Sequence, residues 1–474
     1  MANTSKAPPL LADEFATHAL QSQISDLPAE AITQAKIFIL DTLGVGLGGS
    51  SAFAADKLIK TTPKWGAGSE ATLWGTGKRV PAGVAAMVNA YQVHCQEYDC
   101  VHEGAVLHPL ATLLPAVLAM AERDGGVTGE ELIVACAVGV NVSAGLGIAS
   151  RSGLTFFRPS TAGGFGAVAA LGRIMRLSHE QLVQAFGLQY CQTSGTLQPH
   201  IEGSAALPLQ VGFNSRAAVQ ACDLAKAGFP GPRDVFEGLY GYLRLFEGPG
   251  KWNLTATRTS LAGKRWLISE LSHKPYPAGR ATHGGIEGIQ ALMNQLPKVD
   301  ASSIESITIT GSPVSARLCG RPDLPNPSPN YARLCMSYVG AKVLLDGHID
   351  LAHYRGSQLS DARTHEMAKR IKLISDGQQD PNALVPVSVE MRLEGGEVRE
   401  WKCEQMLASP TRRLSREQHL AKFRRCWAFS AVALSQEKQE RLIGLIDQLE
   451  ELHDVRELVT CLTPGAAAGV NGKL

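Results

Sequence analysis

Three imidazoles and three carboxylates fall within fifteen residues of this chain: His94, Glu97, Asp99, His102, Glu103 and His108. A histidine titrates near neutral pH, and a carboxylate beside it fixes its tautomer and raises its basicity. The cluster therefore has the composition of a proton-transfer site. A polar loop capping the very apolar stretch 110–120 that follows is the plainer reading of the same residues. A zinc site would call for histidines four apart on one helix, and 94, 102 and 108 lack that spacing, so no metal is expected.

A second run, 272–283 (SHKPYPAGRATH), sets Lys274, Arg280 and His283 close together on a backbone stiffened by Pro275 and Pro277. Lysine and arginine there suit the holding of carboxylates, and a lysine can also give up a proton. The plainer reading is a solvated linker ahead of a helix.

The elements around these runs divide the chain. Leu27-Pro28 followed by apolar Ile32, Ala35, Ile39 and Leu43 reads as a Pro-started amphipathic helix. Thr128 to Glu131 and Ser178 to Gln181 are capping boxes, the first opening a helix over 132–148. The small residues of 163–170 suit close helix packing. Helices thus dominate the first 265 or so residues. From Ser272 the pattern changes. Residues 304–310 alternate, as do Val385, Val387, Val389, Met391 and Leu393, and Gly395-Gly396 turns the chain into a partner strand over 397–403. A helix is expected over 330–345. Ser415 to Gln418 caps another, and 436–452 is helical again. The expected architecture is mainly α with an α+β second domain: a discontinuous helical domain, 1–271 with 408–474, and an α+β lid, 272–407. The Gly/Ala-rich tail after Pro464 is expected to be loose.

With 474 residues, 45 basic and 44 acidic side chains, the chain is long enough for two cores and nearly neutral. That balance offers no basic surface for nucleic acid and no charged face for a membrane. The N-terminal run has no signal-peptide core, and no transmembrane helix is expected, since 132–148 carries Asn141 and reads as a buried core helix. Ten scattered cysteines without CxxC read as reduced cytoplasmic thiols.

Both polar runs, with their surroundings, resemble the MmgE/PrpD family over nearly the whole chain. The run FILDTLGVGLGG ending at Gly49 resembles the family's early D-x-x-G-x-x-x-x-G helix, and 81–90 its A-A-x-x-N helix. Residues 94–99 are similar to H-x-x-D-[FY]-D-D, Leu107-His108-Pro109 to the HPS that follows, and 272–283 to K-x-[YF]-P-x-x-R-x-x-H. The stretch from Ser409-Pro410 to Lys422-Phe423 is similar to the family's late P-rich K-F run. The resemblance implies His108 and Lys274 as catalytic groups, with Asp99 and Glu97 at the family's acidic positions. It implies a pocket between helical domain and lid, a homodimer, and no metal or organic cofactor. His102 is added as a catalytic candidate, and Glu97, Arg158, Arg280, His283 and Gln210 as substrate-binding candidates.

Departures from the family accompany the matches. Arg158 stands where decarboxylase-like members have a histidine, and Leu207 and Gln210 where many carry a basic residue and a histidine. Leu318 stands about where they have a tyrosine. An arginine cannot deprotonate in a protein, so Arg158 is expected to clamp a substrate carboxylate. The second acid–base partner must come from elsewhere, with His102, His200 and Tyr98 as candidates. Family reactions include 2-methylcitrate dehydration, cis-aconitate decarboxylation and iminodisuccinate epimerisation, which share proton transfer at a carbon next to a carboxylate. The expected function is a cofactor-independent lyase of dehydratase type on a small di- or tricarboxylate. The alternatives are a dicarboxylate epimerase and a catalytically silent carboxylate binder.

Overall fold

The computed structural model describes residues 9–296, 300–380 and 382–465. The start of the N-terminal run and most of the tail after Pro464 lie outside the described residues.

Helices fill the first half because apolar residues recur at helical spacing and the ends are capped. Thr128 and Ser178 accept the backbone N–H of Glu131 and Gln181 and form full capping boxes at the heads of Gly129–Ala149 and His179–Tyr190. The Pro28-started helix runs Ala29–Gly49. Ala82–His94 packs against Ala206–Lys226 and Pro109–Asp124, and Gly129–Ala149 packs against Gly163–Ile174. Small residues make that last approach close. A Cβ on Gly139 would lie 2.7 Å from the Gly166 carbonyl oxygen, and one on Gly166 would lie 2.5 Å from that of Gly139. Ala29–Gly49 and Gly129–Ala149 are long and apolar enough to cross a bilayer, but both are largely buried among other helices. A single hydrophobic core joins side chains from Leu11 to Leu271 with others from Leu420 to Leu462. The helix Arg416–Ala428, capped by Ser415, lies on Ala29–Gly49.

Two strands do occur early. β1 (Ala71–Thr72) pairs with β2 (Arg79–Val80), a two-residue ladder at the edge of the helices, where only segments after 272 had been expected to form strands. The main sheet comprises β3 (Ile304–Gly311), β4 (Ile371–Ser375), β5 (Val387–Leu393) and β6 (Val398–Cys403), in the order β4-β3-β5-β6. β3 is parallel to β4 and antiparallel to β5, which forms the hairpin with β6. Val387, Val389, Met391 and Leu393 face a second core with Ile286, Ile289, Met336 and Val339. Val385 falls outside the strand. β4 carries Lys372 amid an exposed Ile374 and Ser375 at the sheet edge, so its pattern alone did not announce a strand. The helix expected over 330–345 is two pieces, Pro329–Arg333 and Met336–Asp346.

Candidate active site

The histidine-rich segment begins as the Ala82–His94 helix ends and finishes where Pro109–Asp124 begins. Between them the chain must reverse sharply. Glu97 and Val106 adopt φ of 50°, a left-handed conformation that is uncommon for side chains of this size. Such strain persists only where the surroundings fix it. The 102–107 turn is closed by paired backbone bonds between His102 and Leu107. Val101 and Ser272 exchange backbone bonds at 3.0 and 2.8 Å. This short antiparallel bridge lays the 272–283 run beside the histidine-rich one and carries Lys274 to its carboxylates.

Asp99 Oδ2 is hydrogen-bonded to His94 Nδ1 at 2.9 Å and lies 3.2 Å from His108 Nδ1. Lys274 Nζ lies 2.6 Å from Glu97 Oε2 and 4.0 Å from Asp99 Oδ1. Glu97 Oε1 is 3.7 Å from His94 Nε2. Burial drives both imidazoles toward the neutral form. For His94 the Asp99 carboxylate and its hydrogen bond, aided by Glu97, outweigh burial, and its pKa ends above the ordinary value. For His108 burial prevails over Asp99 with help from the Lys274 charge, and its pKa ends below. His108 also occupies the N-cap position of Pro109–Asp124, whose dipole disfavours a cation there. Burial alone would raise both carboxyls. Lys274, His94 and His108 instead bring Glu97 down to about 2, and His108 and His94 hold Asp99 well below its usual range. One aspartate thus lies between two imidazoles whose pKa values are shifted in opposite directions, the kind of split that can set an acid beside a base.

A cavity of about 70 Å³ reaches Glu97 and His108 of this cluster, while His94, Asp99 and Lys274 are buried and do not line it. Glu97, His108, His200 and Arg280 supply its polar wall, and Leu154, Phe157, Leu318 and Leu384 its apolar one. Leu384 and Arg280 come from the second domain and His108 and His200 from the first, so the cavity lies between them.

Several expected site residues are used otherwise. Arg158 is buried with its fork on Glu247 (Nη2 to Oε2 3.2 Å, Nε to Oε1 3.3 Å), while Nη1 donates to the Ala105 carbonyl. It is absent from the cavity wall, and its charge is neutralised within the protein, which replaces the expected carboxylate clamp with a structural pair. His102 accepts the Ala105 N–H at Nδ1 and sets Nε2 3.5 Å from Glu270, so it braces the 102–107 turn outside the cavity rather than acting in it. His283 spends Nε2 on the Ala278 carbonyl and Nδ1 on Arg280, and burial holds it neutral. Gln210 binds both backbone groups of Thr196, anchoring the segment that leads through Leu197 into the helix Gln198–Glu202 bearing His200. Arg280 does reach the cavity, though Nε donates to Glu103 at 2.9 Å. Tyr98 is fully buried beside Lys422, away from the cavity.

His94 was missed as a site residue in its own right. The signal was its place at the end of an apolar helix five residues before an aspartate. A second missed relationship is the buried pair of Lys422 Nζ and Asp41 Oδ1 at 2.7 Å. Lys422 also donates to the Tyr98 carbonyl at 2.7 Å, bracing the Glu97–Asp99 turn from behind.

His94, Asp99 and His108 offer donor atoms within 4.8 Å of one another, a set that a divalent cation could use. The fit is poor. Both Nδ1 atoms already point at the single oxygen Oδ2, and the Lys274 ammonium stands 4.0 Å from the other oxygen, where it would repel a metal ion.

Residues 13–255 match the MmgE/PrpD N-terminal domain, and residues 276–451 match the MmgE/PrpD C-terminal domain. Cis-aconitate decarboxylase of Mus musculus is 25% identical over 456 residues, covering 93% of this chain and 91% of that protein. The Homo sapiens cis-aconitate decarboxylase is 25% identical over 467 residues, covering 95% and 94%. That of Aspergillus terreus (strain NIH 2624 / FGSC A1156) is 25% identical over 458 residues, covering 92% and 93%.

Proposed function

Because the chain belongs to the MmgE/PrpD family, we propose that it is a cofactor-independent lyase that dehydrates a small di- or tricarboxylic acid. His108 takes a proton from a carbon next to a substrate carboxylate. Its Nδ1 lies 3.2 Å from Asp99 Oδ2, and Nε2 is the base. The C–H electron pair moves into the carboxylate, and the added charge is stabilised by the Lys274 ammonium. The pair then returns to form the double bond as the β-hydroxyl leaves as water, with a proton from Lys274. A fixed positive field in a water-poor cavity favours the charged transition state more than the substrate.

The observation that carries this reading is the shared Asp99, whose Oδ2 lies 2.9 Å from His94 Nδ1 and 3.2 Å from His108 Nδ1, with the two rings' pKa values shifted in opposite directions. Elimination needs a base and an acid together, and the cluster supplies both. The relatives favour a second reading, decarboxylation of cis-aconitate, since their names carry that activity and they match over nine-tenths of both chains. Against it, Leu318 gives the cavity an apolar wall about where decarboxylase-like members carry a tyrosine, and Leu207 is buried.

Incubation with a panel of polycarboxylates in heavy water, followed by proton NMR, separates the outcomes. A new vinyl signal with loss of water marks dehydration. Itaconate formed from cis-aconitate marks decarboxylation, and a new diastereomer marks epimerisation. No exchange at any substrate carbon would leave a carboxylate binder and overturn the lyase reading. We also propose a homodimer, to be checked by sedimentation equilibrium.

A further inference from the structure

Two runs that resemble family motifs, the early one with Asp41 and Gly44 and the late one ending in Lys422-Phe423, take no part in the chemistry proposed above. The fold brings them together behind the active site. They lie on the helices Ala29–Gly49 and Arg416–Ala428, and glycines of the early run let those helices meet closely. A Cβ on Gly44 would lie 2.6 Å from the Phe423 ring, and one on Gly48 would lie 3.0 Å from the Cys426 carbonyl oxygen. This contact seats Lys422 against Asp41, Nζ to Oδ1 at 2.7 Å, with both side chains buried.

A buried ammonium needs a counter-charge and acceptors for its protons. Asp41 supplies the counter-charge. Another proton goes to the Tyr98 carbonyl at 2.7 Å, and Nζ stands 4.4 Å over the centre of the Tyr98 ring. The same helix sends Arg425 Nη1 to the Tyr98 hydroxyl at 3.2 Å, and that hydroxyl donates at 3.3 Å to the carbonyl of Pro275, the residue after Lys274. Tyr98 lies between Glu97 and Asp99, and Glu97 holds a φ of 50°. Strain of that kind persists only where neighbours fix it. We propose that Lys422 is a positioning residue: paired with Asp41, it holds the Tyr98 carbonyl so that Glu97 meets Lys274 while Asp99 meets His94 and His108. This rests on the proposed function for the groups that react and adds what holds them in place. A buried ion pair is a poor source of stability, since apolar groups of like shape often do as well. Its use here is to station a donor at one carbonyl of the acidic turn.

Paired substitutions in the full chain separate positioning from stability. Lys422→Met alone strands the Asp41 charge and should unfold at lower urea. Asp41→Asn/Lys422→Met removes both charges, and its urea midpoint should recover most of that loss. Its kcat should stay about tenfold to a hundredfold below wild type, because the Tyr98 carbonyl still has no donor. Asp41→Asn/Lys422→Gln keeps an N–H for that carbonyl and should regain part of the turnover. Wild-type kcat in Asp41→Asn/Lys422→Met, or equal kcat in the Met and Gln forms, overturns the inference. The His94 ring gives a readout that needs no substrate, followed by long-range 1H–15N spectra and identified by its loss in His94→Gln. Against burial, the Asp99 carboxylate and its hydrogen bond raise the His94 pKa. Removing an acid and a base together leaves the net charge unchanged, so a lower His94 midpoint in Asp41→Asn/Lys422→Met reports Asp99 leaving its place. An unchanged midpoint also overturns the inference. Failure of the lyase reading would show differently, as a lowered His94 midpoint in that variant with no polycarboxylate turned over even by the wild type.

Discussion

His108 and Lys274, 166 positions apart in the chain, flank one carboxylate. His108 Nδ1 lies 3.2 Å from Asp99 Oδ2, and Lys274 Nζ lies 4.0 Å from Asp99 Oδ1. The proposed base and the cation proposed to answer its charge thus share a single buried side chain, so on this reading the two should act on one transition state.

Removing either should lower turnover strongly. His108→Ala and Lys274→Met should each cost about 10²–10⁴-fold in kcat on the true substrate. The double variant should be little worse than the worse single, because groups acting as a unit are not additive. Steady-state kinetics of all three check this. Full activity in His108→Ala would move the base to another histidine.

The two variants should differ in stability. Lys274 is completely buried and paired with Glu97 at 2.6 Å, so Lys274→Met leaves a carboxylate short of its main partner. Breaking such a pair costs roughly 3–5 kcal/mol. His108→Ala leaves Asp99 with His94 and should cost less. Urea denaturation of both variants at one pH measures the difference.

Arg158→Met should destabilise the fold rather than weaken substrate binding. Glu247 would keep Ser150 and Ser152 at 2.5 and 2.6 Å but lose its cation, at a cost of roughly 3–5 kcal/mol. KM should stay within about twofold, since interactions absent from the substrate complex leave binding unchanged. A large rise in KM with unchanged stability would restore the substrate clamp.

Stability should fall on mild acidification. His18, His200 and His419 are buried with pKa values lowered from 6.5 to about 4, 3 and 4. The unfolded chain takes up these protons below 6.5 and the native state does not. The stability they contribute is present above 6.5 and is lost as pH falls toward 4 and 3. His94, with its raised pKa, acts in the opposite sense, contributing stability below 6.5 that is lost as pH rises through its folded value, but it is outnumbered. Glu97 adds a lower window, with stability lost between 4.5 and about 2. Denaturation midpoints at pH 7 and 5 test the direction, and an unchanged or higher midpoint at pH 5 contradicts it.

Activity should survive prolonged dialysis against a strong chelator, because the cation stationed at Asp99 is Lys274. Loss of activity that returns with added zinc or iron would assign His94, Asp99 and His108 to a metal after all.

Local chemistry was legible along the chain. The capping boxes at Thr128, Ser178 and Ser415, the Pro28 start, the alternation from Val387 to Leu393 and the small residues around Gly166 all act between neighbours in sequence, and each formed the element its pattern implied. The histidine-rich segment and the lysine run were legible as chemistry because their residue types are costly to bury without partners. Partnership was not legible. The same positive charge on Arg158 and Lys274 faces Glu247 in one case and the carboxylates beside His108 in the other, and each acid is distant in sequence or reached only through a bridge such as Val101–Ser272. His94 and His108 share one aspartate, yet their pKa values are shifted in opposite directions, up for His94 through Asp99 and Glu97 and down for His108 through burial and the Lys274 charge. Residue type and near-neighbour spacing fix which groups can carry a proton, while burial and facing charge decide which of them do, and those arise only when the two domains pack.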